Sequence, residues 1–399
     1  MARRPSIGIA GAGPAGLTAA IAAARLGFDV SLYEQAPDFR RIGGGVLVHS
    51  NGLRVLDALG LLGAFEPHVR FCDRIDVLGS NGRLISAVEY ARLPIPQNRC
   101  GVVLRHALHE FLHSAAVAEG IDVRFAHRCR AATIEGERVA LAFESGRTES
   151  FDAVLACDGI NSRVRDALGL PAKRRVIGEA YLRGVARLRP AGGIREIWGR
   201  GGRRFGICPL PGDETYFYAS VPLGGWDRIR EHHLDAWIEE WRSVAAEAVP
   251  VLRSVDDWSA VNYSELAEIA LERWHEGPVF VLGDAAHAMT PNLGQGANSA
   301  MVDAMVLVRM LARERDAGRP LSAAGKGYDS LRRPFVTRIQ TAARQVGQFA
   351  AWSGPLSPVL RDGLMRTVGR LDAINRPSQL LGAGWNPAEN DYLVPLPGR

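Results

Sequence analysis

The first third of the chain alternates short apolar runs with amphipathic or alanine-rich stretches, a pattern typical of a parallel sheet covered by helices. Ser6–Ala10 is an apolar run suited to a buried strand, and residues 17–24 are mostly alanine, which favours helix. Asp29–Tyr33 predicts a second strand, residues 51–62 an amphipathic helix, and residues 105–119 another helix with apolar side chains at helical spacing. The N-terminal part therefore predicts an α/β unit.

Extended segments follow this unit. Residues 71–98 predict short strands separated by turns, and four more strands are predicted to return to the first sheet, over residues 123–125, 131–134, 139–143 and 153–156. Residues 178–261 predict an antiparallel sheet, inserted before the chain returns to the first sheet. From Asn298 to about Leu371 the pattern is mostly helical, and we expect the tail, residues 376–399, to lie over the surface.

Length, charge and cysteine content narrow the class of protein. A chain of 399 residues predicts two domains, and its net charge of +5 without a run of Lys or Arg argues against a nucleic-acid partner. The five cysteines are scattered and odd in number, so we expect no disulfide framework, no metal site and a reducing, cytoplasmic location. No apolar stretch approaches 18 residues, so no membrane span is expected.

A glycine-rich loop follows the first predicted strand and opens the first predicted helix. Its sequence is Gly11-Ala12-Gly13-Pro14-Ala15-Gly16, in which the glycines allow a tight turn, close approach of a pyrophosphate and close helix packing. The free N–H groups of the following helix favour a phosphate. Glu34 follows the second strand, where its carboxylate is placed to accept a hydrogen bond from a ribose hydroxyl. The spacing predicts dinucleotide binding.

Two later segments, Cys157-Asp158-Gly159 and Gly283-Asp284-Ala285-Ala286-His287, extend this prediction. Asp284 is a short acceptor suited to a ribityl hydroxyl. Residues 294–298 are predicted to form a glycine-containing turn before a helix. The N-terminal N–H groups of this helix can face the pyrimidine end of a flavin. No second GxGxxG is present, so a nicotinamide cofactor is expected to dock only transiently.

With these three segments, residues 5–345 resemble the single-component FAD-dependent aromatic hydroxylases, the flavoprotein monooxygenases of the p-hydroxybenzoate and salicylate hydroxylase type. The resemblance implies resident FAD, transient NADPH or NADH, and O₂ that forms a flavin C4a-hydroperoxide and then oxidises an aromatic or heteroaromatic ring. It implies an α/β fold with a Rossmann-like FAD-binding domain over residues 1–177 and 262–345. A substrate domain, an antiparallel sheet, is expected over residues 178–261 with part of 71–98, and a C-terminal helical region over 346–399.

The resemblance also implies which residues contact the cofactor. They lie in the glycine loop, at the end of the second strand, around the next glycine cluster and in the later segments: Gly11, Gly13, Pro14, Ala15, Gly16, Glu34, Arg40, Arg41, Gly45, Arg105, Cys129, Asp158, Gly159, Gly283, Asp284, Pro291, Gly294, Gln295, Gly296, Ala297 and Asn298. Cys129 is expected to act through its backbone, with its thiol in the core. His287 is interpreted as structural.

No side chain is assigned to catalysis. Salicylate-type members often carry a His-x-x-x-Tyr pair before Pro-Leu, whereas Arg204 and Cys208 stand there in this chain. Arg204 stays protonated, so it either pairs with a substrate carboxylate or phenolate or is a solvated strand arginine. His49 either titrates near the flavin or is structural. Tyr216 and Tyr218 share one strand face and line the substrate pocket or fill the core, while Cys208 is expected to pack.

The leading hypothesis is therefore an FAD-dependent hydroxylase of an aromatic or heteroaromatic compound, monomeric or homodimeric. Epoxidation or oxidative rearrangement of a natural-product intermediate is an alternative within enzymes. A protein that binds FAD without turnover is an alternative of another class, favoured by the departures at Arg204, Cys208 and Ser50. A flavin-dependent halogenase is disfavoured because the chain has no Trp-x-Trp-x-Ile-Pro string.

Overall fold

A computed structural model describes residues 3–39, 44–231, 234–354, 356–369 and 371–397, without the side chains of residues 357 and 372–374. Arg40 and Arg41, both predicted to contact the cofactor, lie outside the described residues.

The strands lie mostly where the apolar pattern predicts them. In chain order they are β1 Ser6–Ala10, β2 Asp29–Tyr33, β3 Gly45–Val48, β4 Arg70–Cys72, β5 Arg74–Gly79, β6 Leu84–Glu89, β7 Cys100–Leu104, β8 Val123–Arg124, β9 Cys129–Glu135, β10 Arg138–Phe143, β11 Thr148–Phe151, β12 Ala153–Ala156, β13 Ala172–Ala186, β14 Ile194–Trp198, β15 Arg204–Pro209, β16 Thr215–Pro222, β17 Val261–Leu271, β18 His275–Glu276 and β19 Val279–Val281.

The helices cover the sheets and build the C-terminal region. They are α1 Pro14–Arg25, α2 Ser50–Ala58, α3 Leu62–Phe65, α4 Arg105–Ala118, α5 Arg163–Ala167, α6 Trp226–Glu231, α7 Leu234–Val244, α8 Ala248–Leu252, α9 Asp284–His287, α10 Gly296–Asp316, α11 Ala324–Ala350, α12 Ser357–Gly369 and α13 Asp372–Gly382. Short 3₁₀ turns include Pro291–Leu293 and Pro387–Tyr392.

Within the described residues the strands form four sheets. The nucleotide-binding sheet has the order β18-β19-β12-β1-β2-β8 and is parallel from β19 to β8. The large sheet has the order β17-β13-β16-β15-β14-β5-β6 and is antiparallel except where β14 runs parallel to β5. Small antiparallel sheets are formed by β11-β10-β9 and by β3-β7-β4. The predicted α/β fold with an antiparallel sheet and a helical C-terminal region is confirmed.

Three details differ from the sequence-based expectations. Strands β9 to β11 do not return to the first sheet but pair with each other, because the short turns between them favour antiparallel hairpins. Strands β13 and β17 extend beyond the predicted boundaries at 177/178 and 261/262, since they remain paired along residues 172–176 and 267–271. The division into domains stays a prediction.

The C-terminal tail is not simply draped over the surface as predicted. Leu393 and Leu396 pack in the main core with β1 and α1, and Ala383 is buried in a second apolar cluster under the large sheet. Glu389 is fully buried because its carboxylate pairs with the buried Arg332 of α11. A buried charge requires such a partner, so the tail is part of the fold.

None of the helices, over the residues that the structure describes, combines the length and apolar character of a membrane span. The same residues contain no cluster of three or more His, Cys, Asp or Glu side chains that could hold a metal ion. All five cysteines are free.

Candidate active site

The glycine loop between β1 and α1 has the shape that a pyrophosphate requires. Gly11 has a φ of +98°, and a side chain there would overlap the carbonyl oxygen of Cys157 at the end of β12. Gly16 is equally confined, because a side chain there would overlap the carbonyl oxygen of Gly11. Gly13 is different, since a Cβ at this position would meet no atom within 4 Å. The open space is therefore at the glycine predicted to face the pyrophosphate.

The N-terminus of α1 is free to bind an anion. Gly13 is its N-cap and provides no side-chain hydrogen bond, while Pro14 has no N–H to satisfy. The loop is held on both sides, because Glu34 accepts a hydrogen bond from the Ala12 N–H at 2.9 Å and His109 of α4 contacts the Ala12 carbonyl at 2.5 Å. The Glu34 carboxylate keeps acceptor capacity for a ribose hydroxyl. These residues fit the diphosphate half of FAD.

A pocket of about 380 Å³ lies beside Glu34, at the end of β2, and its walls include Gln35, His127 and Arg128. Cys129 follows Arg128 and is buried, and burial raises the pKa of its thiol well above the usual range. The thiol is therefore neutral. This placement is compatible with the expected backbone role of Cys129 at the adenine end of the cofactor.

Asp158 supports the segment after β12. Its carboxylate accepts hydrogen bonds from the Ser162 hydroxyl at 2.5 Å, the Arg163 N–H at 2.9 Å and the Val164 N–H at 3.2 Å. Burial nevertheless raises the pKa of Asp158 above its ordinary value. Gly159 has a φ of +81° with open space beside it. In this structure Asp158 organises the turn into α5, and its predicted contact with the cofactor stays a prediction.

Asp284 lies at the first position of α9, after Gly283 with a φ of +59°. Its side chain is exposed and makes no hydrogen bond or ion pair with the described residues. A short carboxylate that faces solvent at the end of a buried parallel strand is well placed to accept a hydroxyl hydrogen bond. This is the position that the sequence assigns to the ribityl chain.

The turn that carries Asp284 is held by a cluster of buried charged residues around Asp303. Asp303 of α10 accepts from the Gly283 N–H at 3.2 Å and contacts His287 Nε2 at 2.5 Å. Its other oxygen accepts from Arg332 Nε at 2.8 Å, and Arg332 also pairs with Glu389. Burial alone would raise the pKa of Asp303, but His287 and Arg332 hold it below its usual range. This geometry agrees with the structural interpretation of His287.

Side chains of the segment 291–298 hold it against β3 and the C-terminal region. Asn298 accepts from the His49 N–H at 2.9 Å and donates to the Leu47 and Gly294 carbonyls at 2.8 Å each. Gln295 bonds to Asn51 and to the Gly382 carbonyl, so it also ties the C-terminal region to the site. No side chain caps α10. The N–H groups of Gly296 and Ala297 therefore remain available to a flavin.

His49 lies at the start of α2, packed against this segment. Its Nδ1 is 2.5 Å from the Tyr90 hydroxyl, and its Nε2 would be 2.6 Å from a Cβ at Gly294. Burial lowers the pKa of His49 to about 4. The imidazole is therefore neutral at physiological pH, which supports the structural alternative over a titrating group.

Arg204 is buried, so it is not the solvated strand arginine of one prediction. Its guanidinium donates to Glu179 Oε2 at 2.8 Å and to Asn292 Oδ1 at 2.7 Å, and it lies 3.7 Å from Glu196. The charge of Arg204 is thus balanced by two carboxylates of the protein. The same contacts join the large sheet to the segment 291–298, because Asn292 belongs to that segment.

The other substrate candidates lie in an apolar cluster between the large sheet, the β3-β7-β4 sheet and the C-terminal region. Tyr216 and Cys208 are buried there, with Tyr218 packed against them. Tyr216 lies directly over Gly45, where a side chain would overlap its ring, and burial raises its pKa to about 12. Tyr218 donates to Glu196 at 2.8 Å. Burial also raises the pKa of the Cys208 thiol, so the thiol is neutral in this cluster.

Many of the predicted cofactor residues follow the carboxyl ends of β1, β2, β12 and β19, and the parallel pairing of these strands brings those ends to one edge of the nucleotide-binding sheet. Arg105 is exposed at the start of α4, with its backbone N–H donating to the Gly44 carbonyl. The residues that fix the charged groups in place were not among the predicted site residues: Glu179, Glu196, Asn292, Asp303, Arg332 and Glu389. Only Asn292 carried a signal, since it lies inside the recognised segment.

Comparisons with known proteins agree with this geometry. The family described as "FAD binding domain" matches residues 4–343. Aurachin C monooxygenase/isomerase of Stigmatella aurantiaca is 28% identical over 386 residues, which cover 92% of this chain and 96% of that protein. The 2-heptyl-3-hydroxy-4(1H)-quinolone synthase of Pseudomonas aeruginosa is 31% identical over 378 residues, which cover 90% and 93%. The tetrameric form of 2-methyl-3-hydroxypyridine-5-carboxylic acid oxygenase is similar in structure, with a TM-score of 0.78, 26% identity and coverage of 97% and 98%.

Proposed function

The chain belongs to the FAD-binding-domain family and is an FAD-dependent monooxygenase, and we propose that its substrate is a heteroaromatic ring without a carboxylate group. FAD is the resident cofactor, NAD(P)H the electron donor and O₂ the source of the oxygen atom. When bound and reduced, FAD supplies the activation of O₂. The protein must bind the ring, orient it and exclude water.

The proposed cofactor site uses the groups whose geometry fits FAD. The Gly13 backbone and the first turn of α1 hold the pyrophosphate, Glu34 the ribose, and Asp284 the ribityl chain. The Gly296 and Ala297 N–H groups at the start of α10 face the pyrimidine ring, where the positive end of the helix dipole stabilises negative charge. The support is that a Cβ at Gly13 would meet no protein atom within 4 Å and that no side chain caps α1 or α10.

The state of Arg204 carries the proposal about the substrate. Arg204 is the candidate substrate residue whose positive charge could bind a substrate carboxylate. Its guanidinium is already bound by Glu179, Glu196 and Asn292. A substrate carboxylate would have to displace one of these partners and would itself be buried near a second carboxylate. A ring without a carboxylate avoids this cost.

The surroundings of Tyr216 also favour such a ring. Cys208, Leu210 and Tyr90 pack around it, and Leu380 and Trp385 of the C-terminal region cover the same cluster. These side chains exclude water and offer aromatic surface. The charged groups at the edge of the cluster are Arg183, beside Tyr216, and Glu196, which accepts from Tyr218. Two similar proteins are named for aurachin C and for an alkyl-substituted hydroxyquinolone. A 4-quinolone is therefore the substrate class to test first.

The test is NADPH and NADH consumption by the FAD-loaded protein with 4-quinolones, phenols and hydroxypyridine carboxylates. We expect a 4-quinolone to accelerate consumption and to gain one oxygen atom by mass, and the carboxylates to have no effect. The Glu179→Gln variant leaves Arg204 with one carboxylate partner, Glu196, so it should bind the substrate carboxylates more tightly, whereas Glu265→Gln on the neighbouring β17 should not. Turnover of a carboxylate by the wild type, lost on Arg204→Gln, would contradict the proposal.

Oxidative rearrangement is a second candidate, favoured by the relative that is named both monooxygenase and isomerase. In this case the product also contains one additional oxygen atom, but a ring substituent changes position. Mass alone does not separate the two outcomes, so the product is assigned by NMR. The alternative of FAD binding without turnover receives no support from relatives named for the reactions they catalyse.

We also propose a cytoplasmic location and a monomer or homodimer. Support for the location is the set of five free cysteines. The similar oxygenase structure is described as tetrameric, so light scattering of the purified protein is the appropriate test. A stable tetramer would replace the proposed state.

A further inference from the structure

Helix α12 presents an apolar face to solvent, the reverse of what a surface helix normally shows. Val359, Leu360 and Leu364 are 72%, 63% and 50% exposed, and Leu356, just before the helix, is 68% exposed. Leu356, Leu360 and Leu364 recur at every fourth position, so they lie on one side of the helix. We call these four residues the α12 face. Exposed apolar patches of this kind mark interaction sites.

The orientation of the α12 face is fixed by a buried charged residue of the same helix. Arg361 is fully buried, where it pairs with Asp362 at 3.0 Å. Its guanidinium also donates to the Trp198 carbonyl at 2.9 Å and to the Ala350 carbonyl at 3.0 Å. A rotation of the helix that buried the leucines would break these bonds of Arg361 without providing new partners for its guanidinium. The exposure of the α12 face is therefore built into the packing of the helix.

Arginines line a pocket next to α12, and one of them, Arg366, belongs to that helix. A pocket of about 710 Å³ separates β6 from the C-terminal helices, and its walls include Arg83, Arg366 and Arg376. Arg83 and Arg376 make no ion pair with the described residues, and Arg366 donates to the carbonyl of Leu84, which is itself an exposed apolar residue. The acidic residue in the pocket wall, Glu89, is already paired with Arg74 and Arg92. Helix α12 thus carries both the exposed apolar side chains and one arginine of this positively charged pocket.

We propose that the α12 face and the arginines of this pocket dock the enzyme on an anionic phospholipid surface. Apolar side chains that enter the boundary of headgroups and acyl chains, next to basic residues that attract anionic lipids, are the two elements of interfacial binding. A second copy of the chain fits less well, because a two-fold contact would bring the arginines of both copies together without adding carboxylates.

The test is sedimentation of the FAD-loaded protein with vesicles of phosphatidylglycerol and with vesicles of phosphatidylcholine. We expect binding to phosphatidylglycerol, weakened by salt, and little binding to phosphatidylcholine. Arg376→Ser should weaken binding about fivefold, the effect of one basic residue near an anionic surface. Leu360→Glu should weaken binding at least about tenfold, because it removes an apolar side chain that would enter the lipid and adds a negative charge that the anionic surface repels.

Matched controls separate docking from a general loss of structure. Val117→Glu changes an exposed apolar residue on α4, and Arg228→Ser removes an exposed arginine on α6, so both should bind vesicles like the wild type. All variants are compared at equal FAD content. Absence of binding to phosphatidylglycerol, or equal losses in the control variants, would overturn the proposal. Dimerisation that Leu360→Glu abolishes, without vesicle binding by the wild type, would identify the α12 face as a contact between copies.

Discussion

The charge cluster under the Asp284 turn gives the sharpest test of how this site is held. In the Asp303→Asn variant the side chain keeps its size but loses its charge, and one oxygen becomes an amide donor. If that amide faces the Gly283 N–H, a donor meets a donor. If it faces Arg332, the guanidinium loses its partner at 2.8 Å. Neither orientation of the amide satisfies all three neighbours.

The magnitude follows from the burial of the whole cluster. The side chains of Asp303 and Arg332 are 0% and 1% exposed, so solvent does not compensate for the lost charge. Breaking such a buried pair costs about 3–5 kcal/mol, a large part of the roughly 5–15 kcal/mol that stabilises a domain. Glu389 remains to pair with Arg332, so we expect a loss of about 3 kcal/mol, the lower end of this range.

The assay is urea unfolding of the FAD-loaded protein at a fixed concentration of free FAD, because bound cofactor adds to the free energy of unfolding. Asp316→Asn, near the end of the same helix, is the control, since Asp316 is 66% exposed in its ion pair with Arg315. An exposed pair is worth about 0–1 kcal/mol. If Asp303→Asn lowered the free energy of unfolding no more than Asp316→Asn does, the role assigned to the cluster would be wrong.

Acid should reduce the difference between wild type and Asp303→Asn. The pKa of Asp303 is held below its usual range in the folded protein. Its contribution to stability is therefore complete above the unfolded-state pKa of about 3.9 and declines as the pH falls further toward the folded-state pKa. The measured difference should be constant between pH 6 and pH 8 by this argument. A difference that grows on acidification would contradict the sign of the shift.

Three further predictions concern the cofactor and the candidate histidine. Asp284→Ala should fold but purify with little flavin, as judged by absorbance, while Asp316→Ala should remain yellow; a full flavin content in the first variant would exclude the ribityl contact. Gly13→Val should lose FAD without lowering the melting temperature of the apoprotein, because a Cβ at this position meets no protein atom within 4 Å. Gly63→Val, where a Cβ is equally unobstructed, should keep FAD. Burial lowers the pKa of His49 to about 4, below the pH range of the assay. The pH–rate profile between about pH 6 and pH 8 should therefore have the same shape in His49→Gln as in the wild type. An inflection present only in the wild type would show that His49 titrates.

Much of the cofactor site could be predicted from the chain because its requirements are local. A tight turn at Gly11, an open Gly13 and a helix starting at Pro14 are properties of consecutive residues, and β1 and β2 end where the apolar runs end. The substrate side could not be predicted in the same way. Arg204, Glu179 and Glu196 come from three different strands, and no spacing along the chain indicates that they meet.

The sequence by itself therefore determined the glycine loop between β1 and α1 and the class of cofactor, because glycine conformation, helix N-termini and strand periodicity are encoded within a few neighbouring residues. Only the tertiary structure decided that the charge of Arg204 is balanced by Glu179 and Glu196. It also decided that His49 is buried and neutral, and that Glu389 of the tail completes the cluster around Asp303. The ionisation and availability of a side chain depend on which distant residues surround it and on how much water they exclude. Those are properties of the folded chain.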